Sequence, residues 1–422
     1  MIQKIRKYLE LKRKIRFPRL SRSDIDAIQF RKLKTIVEHA YKSVPYYRAL
    51  FKKHRFSPGD LRTLEDIRKI PLTSKKDLLS LDKAEITSNA FKENDLYMTK
   101  SSGTTGEPFS FYMDKKYMNS IGLEALRAMM LHGYRLTDKV IKISGEREDL
   151  HWLRSPLNLF FLKTVSFSSF SDYRKIVDFY DRFKPGVLRG YITSLFALAT
   201  WLDENSIRLE HKPKFMHCSA ETVHDFMREK VSKVFHSRII DRYATIELGT
   251  VAVECVFGGY HIFEDSVLAE VVEISGGKYF VGTNLNNFAT PFIRYNTSDI
   301  CEPWQDGSGA CRCGMKTKKI SRITGRDNDF IKTPGGGLLS PADLLFFMRT
   351  YYPYIDKFRF VQDDERSLRL DIVLRGESAE ENLNKLRDRF SDIGRGLVLG
   401  VNATKDIPKD KSGKMRIISS KV

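Results

Sequence analysis

The sequence predicts an α/β chain of two domains: a large N-terminal domain with parallel sheets and a small antiparallel or barrel-like part, then a small α+β C-terminal domain. Three observations predict it. The 422 residues exceed what one hydrophobic core usually holds. Between 185 and 240, short apolar runs alternate with helical stretches of ten or more residues, the pattern of βαβ units on a parallel sheet. Between 260 and 304, strand-like runs follow one another with only Gly or Asn turns between them, which argues for antiparallel pairing.

Residues 1–20 carry eight Lys or Arg against one Glu and read as a basic helix. Ile2, Ile5 and Leu9 fall on one face, which suits either a helix packed by its apolar stripe or one lying on an anionic membrane. Leu33, Ile36, Val37, Ala40 and Tyr41 recur at helical spacing, and Val44-Pro45 ends that helix before a second, shorter one. Further on, Val187-Leu188, 215–218 and Ile239-Ile240 read as strands, with helices at 194–202 and about 223–235 between them. The strand region follows as HIFEDSVLAEVVEI, KYFVGTNL and PFIRYNTSDI. Gly325-Arg326-Asp327-Asn328 and the Pro-Gly-Gly-Gly at 334–337 mark the break, giving domains 1–325 and 326–422. The second reads as helix, two strands (358–361, 368–374), helix (379–390) and strand (398–401).

A composition of 41% hydrophobic and 30% charged residues excludes global disorder. Lys plus Arg outnumber Asp plus Glu by 72 to 53, a net +19, so anionic partners are expected: nucleotides, pyrophosphate, nucleic acid or a membrane face. No nucleic-acid module is recognisable, and no nucleic-acid partner is expected. Five cysteines cannot all pair, and their low density fits a reducing cytoplasm. No apolar run reaches the length of a membrane span, and the basic N-terminus lacks the apolar core of a signal peptide. A cytoplasmic protein is expected, with peripheral contact at the inner membrane face through residues 1–20 as a further option.

The densest local signal is Ser101-Ser102-Gly103-Thr104-Thr105-Gly106-Glu107-Pro108, four hydroxyls and two glycines before an apolar strand. Glycine lets backbone N–H groups approach phosphate oxygens, and hydroxyls add donors, so the string suits either a phosphate cradle or an ordinary polar turn. It lacks the Lys-Ser/Thr ending of a Walker A loop.

Taken with strings elsewhere, the loop becomes recognisable. The chain resembles the phenylacetate-CoA ligase family of adenylate-forming enzymes, including relatives found with capsular polysaccharide genes. The resemblance rests on the loop, on His39-Ala40-Tyr41-Lys42-Ser43-Val44-Pro45-Tyr46-Tyr47, and on Pro71-Leu72-Thr73-Ser74-Lys75-Lys76-Asp77-Leu78. It continues through Ser219-Ala220-Glu221, Asp241-Arg242-Tyr243-Ala244-Thr245-Ile246-Glu247, Arg294-Tyr295-Asn296-Thr297-Ser298-Asp299, Gly325-Arg326 and Ser412-Gly413-Lys414, in the family's order.

The resemblance implies roles that the residue types can support. Ser101, Ser102, Thr104 and Thr105, with Gly103 and Gly106, would hold the β- and γ-phosphates of ATP. Ser219, Ala220, Glu221, Ala244 and Thr245 would border the nucleotide, and Tyr243 would stack on adenine. Glu247 would hold magnesium through a hard carboxylate oxygen. Asp299 would accept from both ribose hydroxyls. Arg326 would pair with ribose or phosphate, Asn328 would be the hinge, and Lys414 would meet the α-phosphate.

Three departures stand out. Ala244 replaces the family's glycine after the tyrosine, Asn296-Thr297-Ser298-Asp299 stands for Arg-Thr-Gly-Asp, and Asn328 stands for the hinge aspartate. The segment Arg147-Glu148-Asp149-Leu150-His151-Trp152-Leu153-Arg154 replaces the family's glycine-rich acid-pocket segment, which argues against phenylacetate as the acid.

Cys255, His261, Cys311 and Cys313 offer three thiols and an imidazole, a sufficient ligand set for tetrahedral zinc or else a group of reduced cysteines. The resemblance implies a structural zinc. The expected activity is ATP-dependent adenylation of a carboxylic acid, then transfer of the acyl group to coenzyme A. The runner-up acceptor is an amine or hydroxyl of a sugar precursor, and the reading from another class is an inactive basic binding protein.

Overall fold

A computed structural model describes residues 2–100, 109–143, 163–169, 171–274, 276–302, 304, 311–326, 330–339, 341–348, 351, 354–375, 386–408 and 415–422. The chain divides into two compact units, Met1–Ile323 and Thr324–Val422.

The first unit is built on a large sheet. Its strands run in the order Lys319–Ile320, Tyr260–Ile262, Gly249–Glu254, Ile239–Thr245, Phe215–Ser219, Val187–Gly190, Lys139–Ile143, Lys163–Phe167. From Ile239–Thr245 to Lys163–Phe167 every pair is parallel, and the remainder is antiparallel. The parallel strands expected from 187, 215 and 239 are neighbours. Val140, Val187, Phe215, Ile240 and Val253 form one layer with Leu123 and Leu126 of the helix Lys115–Met130 and with Leu11 of the N-terminal helix Ile2–Arg16. Side chains alternate across a strand, so one face of five adjacent strands supplies this core.

The N-terminal helix is therefore docked over its second half. Leu11 and Phe17 are buried, and Lys14 reaches Glu124 at 3.4 Å. Leu9 is 49% exposed, so the apolar stripe does not bury as a whole; the side chains of Ile2 and Ile5 lie outside the described residues. The helices Arg22–Ser43 and Pro45–Lys53 follow the predicted break at Val44-Pro45 and bury Leu33, Ile36, Val37, Ala40, Tyr47 and Phe51.

The strand region at 260–304 is antiparallel, one of the two arrangements read for it, and differs from its reading in the placement of His261. Val267–Ile274, Gly277–Asn284 and Tyr295–Cys301 form an antiparallel meander, with Thr73–Ser74 added in parallel to the last. This is an open sheet, without barrel closure. His261, read as part of the same run, belongs instead to the large sheet: the chain turns at 263–266, where Ser266 and Val267 N–H groups both donate to the Phe263 carbonyl. Polar Glu264 and Asp265 can sit buried there because Arg22 and Arg127 reach them from far along the chain. Arg127 also lies over the Phe263 ring at 3.6 Å. Removing one partner from such a buried pair costs about 3–5 kcal/mol.

The second unit contains a sheet in the order Val398–Ala403, Ser367–Leu374, Ile355–Gln362, Ile418–Ser420. Phe360, Leu368, Leu370 and Ile372 are fully buried in it. The hairpin Ile331–Lys332 with Leu338–Leu339 turns on the glycine-rich stretch, where Gly336 has a φ of 76° that disfavours any side chain.

Candidate active site and metal centre

The motif residues of the first unit gather where the two sheets meet. The strand Phe215–Ser219 ends at Ser219, and Ala220 takes a left-handed φ of 70°. The next residue, Glu221, accepts from Thr193 N at 3.0 Å and Thr193 Oγ1 at 2.9 Å at the start of the helix Ile192–Glu204. A carboxylate is favoured there by the unpaired N–H groups of the first turn. The motif thus joins a strand end to a helix start.

On the adjacent strand, Tyr243 donates to Asp299 Oδ2 at 2.5 Å, and its hydroxyl lies 3.3 Å from Thr297 Oγ1. Its ring meets Phe280 edge-on at 5.3 Å. Asp299 is 5% exposed. Glu247 lies on the turn after that strand, where Thr245 Oγ1 accepts from Leu248 N at 3.1 Å. Asn284 holds the Glu247 carbonyl at 2.8 Å, and Tyr295 donates to Glu247 Oε1 at 3.4 Å. Gly249 closes the turn with a φ of 73°, and a Cβ there would meet the Tyr117 hydroxyl at 2.9 Å. One strand, Tyr295–Cys301, therefore binds both Tyr243 and Glu247.

Arg242 points the other way. It donates to Thr250 Oγ1 at 2.8 Å and to Ser219 Oγ at 3.2 Å, tying two motif segments together. Arg326 ends the strand Ile323–Arg326 at the start of the second unit. The loop 101–108, the segment 147–154, Asn328 and Lys414 lie outside the described residues. Sequence reasoning missed the partners Thr193, Thr250, Thr297 and Tyr295; the last two lay inside a quoted motif, and hydroxyl or phenol spacing was the available signal.

A second cluster unites Cys255, His261, Cys311 and Cys313, whose ligand atoms all lie within 4.8 Å of one another. Two turns of one pattern present the sulfurs. Cys255 N donates to Gly259 O and Gly258 N to Cys255 O; Cys311 N donates to Met315 O and Gly314 N to Cys311 O. Gly258 and Gly314 have φ of 80° and 82°. Cys255 Sγ and Cys311 Sγ are 3.7 Å apart, close to the roughly 3.8 Å that two Zn–S bonds of about 2.3 Å subtend at a tetrahedral centre. His261 Nε2 lies 3.2 Å from Cys313 Sγ, while Nδ1 faces Thr317 O at 3.3 Å and Thr317 Oγ1 at 3.2 Å. An imidazole anchored through one nitrogen offers the other to a metal. Burial lowers His261 to about 4, which keeps it neutral, and raises Cys255 to about 12, a penalty that a divalent cation would offset by binding the thiolate. The donor set fits a closed, four-ligand metal site.

No family model matches the chain. Among curated proteins it is 24% identical to Protein CapK of Staphylococcus aureus over 408 residues, 93% of this chain and 89% of that one. It is 25% identical to the phenylacetate-coenzyme A ligase of Thermus thermophilus over 445 residues, 94% and 96% of the two chains. Its fold matches 2-hydroxyisobutyryl-CoA ligase in the postadenylation state with R3-HIB-AMP, with a TM-score of 0.78 at 18% identity over 96% of this chain and 91% of that one. The same ligase with 2-HIB-AMP and CoA matches at 0.65 and 18%, with the same coverage. The chain thus resembles CapK and the phenylacetate-CoA ligases over most of its length and has the fold of an adenylate-forming CoA ligase.

The departures from the pattern of that family have a physical basis. Ala244 sits at a register shift in its strand but has no left-handed φ, so the position does not need glycine. Ser298 does sit where glycine is favoured, at a φ of 60°, and is held there by a 2.9 Å bond from its own N–H to Asn296 Oδ1. Asn296, in the place of the family's arginine, thus supports the residue in the place of the family's glycine.

Proposed function

We propose that this ligase-like chain adenylates a carboxylic acid with ATP and passes the acyl group to coenzyme A. The observation that carries the reading is the joint tie of Tyr243 and Glu247 to the strand bearing Asp299, three motif residues from two sheets. The acid's carboxylate oxygen attacks the α-phosphorus, the bond to the bridging β-phosphate oxygen breaks, and pyrophosphate leaves. The Tyr243 ring and the Asp299 carboxylate would hold adenine and ribose, and Ser219, Ala220, Glu221, Ala244 and Thr245 would border the nucleotide. Glu247, buried with a carboxylate oxygen directed by Tyr295, suits magnesium, which is held by one or two carboxylates together with phosphate oxygens and water. That ion would neutralise phosphate charge. Resemblance assigns the polyphosphate to the loop 101–106 and the α-phosphate to Lys414, with Arg326 on ribose or phosphate and rotation about Asn328 admitting the acceptor. Positioning and charge neutralisation do most of the work in such a step.

The cysteine–histidine cluster would hold zinc in a structural role, since four protein ligands leave no open position. Among the described residues no helix is long and apolar enough to cross a membrane. A cytoplasmic location is proposed, with Leu9, Lys12 and Arg13 on the exposed side of the N-terminal helix available for salt-sensitive contact with anionic lipid.

Acid-dependent exchange of labelled pyrophosphate into ATP, screened over an acid library, tests the first half-reaction. Mass spectrometry of the products with coenzyme A, against the same mixture with an amino or hydroxyl sugar, tests the acceptor. No exchange with any acid would leave the inactive binding protein as the better reading.

A further inference from the structure

The helix Lys115–Met130 packs on the large sheet through Leu123 and Leu126, yet it also buries a polar stripe. Tyr117, Ser120, Glu124 and Arg127 follow one another at spacings of three and four, so they share one helix face, and all four are buried. Glu124 and Arg127 are 0% exposed. Burying charges and hydroxyls in mid-helix is unfavourable unless each is held, and here the partners come from distant parts of the chain.

Arg127 serves the turn at 263–266 through Asp265. Glu124 Oε1 accepts from Ser266 Oγ at 2.6 Å, from Ser120 Oγ at 3.2 Å and from Lys14 Nζ of the N-terminal helix at 3.4 Å. Lys14 is itself buried. Glu124 Oε2 is buried without a hydrogen-bond partner, so the carboxylate is oriented through Oε1 alone, by the lysine and the two serines.

The other end of the stripe reaches the turn that carries Glu247. The Tyr117 hydroxyl accepts from Asn284 Nδ2 at 2.7 Å, and the same Nδ2 donates to the Glu247 carbonyl at 2.8 Å. Gly249, two residues after Glu247, lies against both groups of the stripe: a Cβ there would come within 2.9 Å of the Tyr117 hydroxyl and 3.4 Å of Glu124 Oε2. Burial, then the negative charge of Glu124 and after it that of Glu247, hold the Tyr117 phenol well above its ordinary pKa. Its hydroxyl keeps the proton and stands within the fields of both carboxylates. A continuous series of contacts thus runs from Lys14 through Glu124, Gly249, Tyr117 and Asn284 to Glu247. Apart from Glu247, none of these residues belongs to a string that carries the family resemblance.

We propose that Tyr117 and Glu124 are positioning residues for Glu247, acting through Asn284 and Gly249, and that Lys14 completes this support, so that the basic N-terminal helix serves the adenylation site. The inference rests on the adenylation reading, in which Glu247 holds magnesium.

Binding of manganese, a paramagnetic substitute for magnesium, tests it in the full-length chain with the non-reacting analogue α,β-methylene-ATP, beside acid-dependent pyrophosphate exchange at varied magnesium. Tyr117→Phe keeps the ring and Lys14→Met keeps the stem. Each is expected to weaken manganese about fivefold and to raise the half-saturating magnesium by the same factor, what one hydrogen bond supports, with the KM of the acid unchanged. Lys14→Arg is expected to keep most of the wild-type affinity. A merely structural role would lower the melting temperature and the fraction of active enzyme without moving either metal titration. Tyr117→Phe, which removes one oxygen, keeps the test decisive if Lys14→Met does not fold. Wild-type metal titrations in both variants, alongside a Glu247→Gln that weakens the metal, overturn the inference and leave the adenylation reading standing. A shift in one variant alone overturns the role of the other residue. Glu247→Gln with wild-type manganese binding takes the metal away from Glu247, and the inference falls with it. Exchange with no acid overturns the adenylation reading and the inference together.

Discussion

The hydroxyl of Tyr243 donates to Asp299 at 2.5 Å and so joins a strand of the large, mainly parallel sheet to a strand of the antiparallel one. Four residues along one chain segment, Glu247 meets Tyr295, four residues back along the other. Two side-chain bonds therefore fix the register between the sheets, and the residues proposed to meet adenine, ribose and magnesium are positioned by it.

One oxygen of Asp299 is already shared with Tyr243, so the proposed recognition of a ribose diol would depend on the carboxylate's full charge. Asp299→Asn is expected to raise the KM for ATP about tenfold or more, the loss of charge-assisted bonds, and to shrink discrimination against 2′-deoxy-ATP. Tyr243→Phe keeps the ring and is expected to have the smaller effect. A wild-type enzyme that uses ATP and 2′-deoxy-ATP equally would remove Asp299 from ribose recognition.

Lys414→Ala is expected to slow adenylation by about a hundredfold or more, since one preorganised charge on a developing anion contributes about 3 kcal/mol. Thermal stability should barely change. Wild-type exchange rates in the variant would take the lysine out of the mechanism.

Protein purified without added metal is expected to contain about one zinc per chain. Cys311→Ser should lower both metal content and melting temperature, because binding free energy at a closed site is also folding free energy. Metal-free protein of undiminished stability would reduce the cluster to packed thiols.

Asp241 titrates unusually. Burial, with Glu254 next, raises it to about 7, while the Tyr260 hydroxyl donates to it at 2.9 Å. The folded pKa lies above the unfolded value of about 3.9, so this group's contribution to stability is full below about pH 4 and is lost as pH rises through 7. Asp241→Asn is expected to raise the melting temperature at pH 8 and to do so less at pH 5. A difference independent of pH would show that the proton is not involved.

The parts of this molecule visible in its sequence are those fixed by local pattern. Apolar runs at 187, 215 and 239 become parallel strands because such strands are buried on both faces, and Val44-Pro45 breaks a helix because proline restricts the residue before it. What escaped was set by distant partners. The turn at 263–266 hides in a run that looks like one strand, because the charges of Glu264 and Asp265 are tolerable only with Arg22 and Arg127 in place. Likewise Lys142, Arg189, His217 and Arg242 each look like an isolated polar residue in an apolar strand. Only the strand order brings them into a row.

The cysteine–histidine cluster also bears on how the molecule would come apart. The chain leaves the large sheet after Ile262 and returns at Lys319, and the antiparallel meander with Asp299 lies within that excursion. An ion bound by Cys255, His261, Cys311 and Cys313 would close the loop at its neck. Across the 56 residues from Cys255 to Cys311, such a tie lowers the entropy of the unfolded chain by an amount on the order of 4 kcal/mol at room temperature. The lobe behind the knot would then open as one cooperative unit when the ion is withdrawn. Chelation should quicken amide exchange together in Val267–Ile274, Gly277–Asn284 and Tyr295–Cys301 while Val187–Gly190 and Phe215–Ser219 stay protected. Loss of such an ion would thus be felt at the strand bearing Asp299 before it is felt in the parallel part of the large sheet.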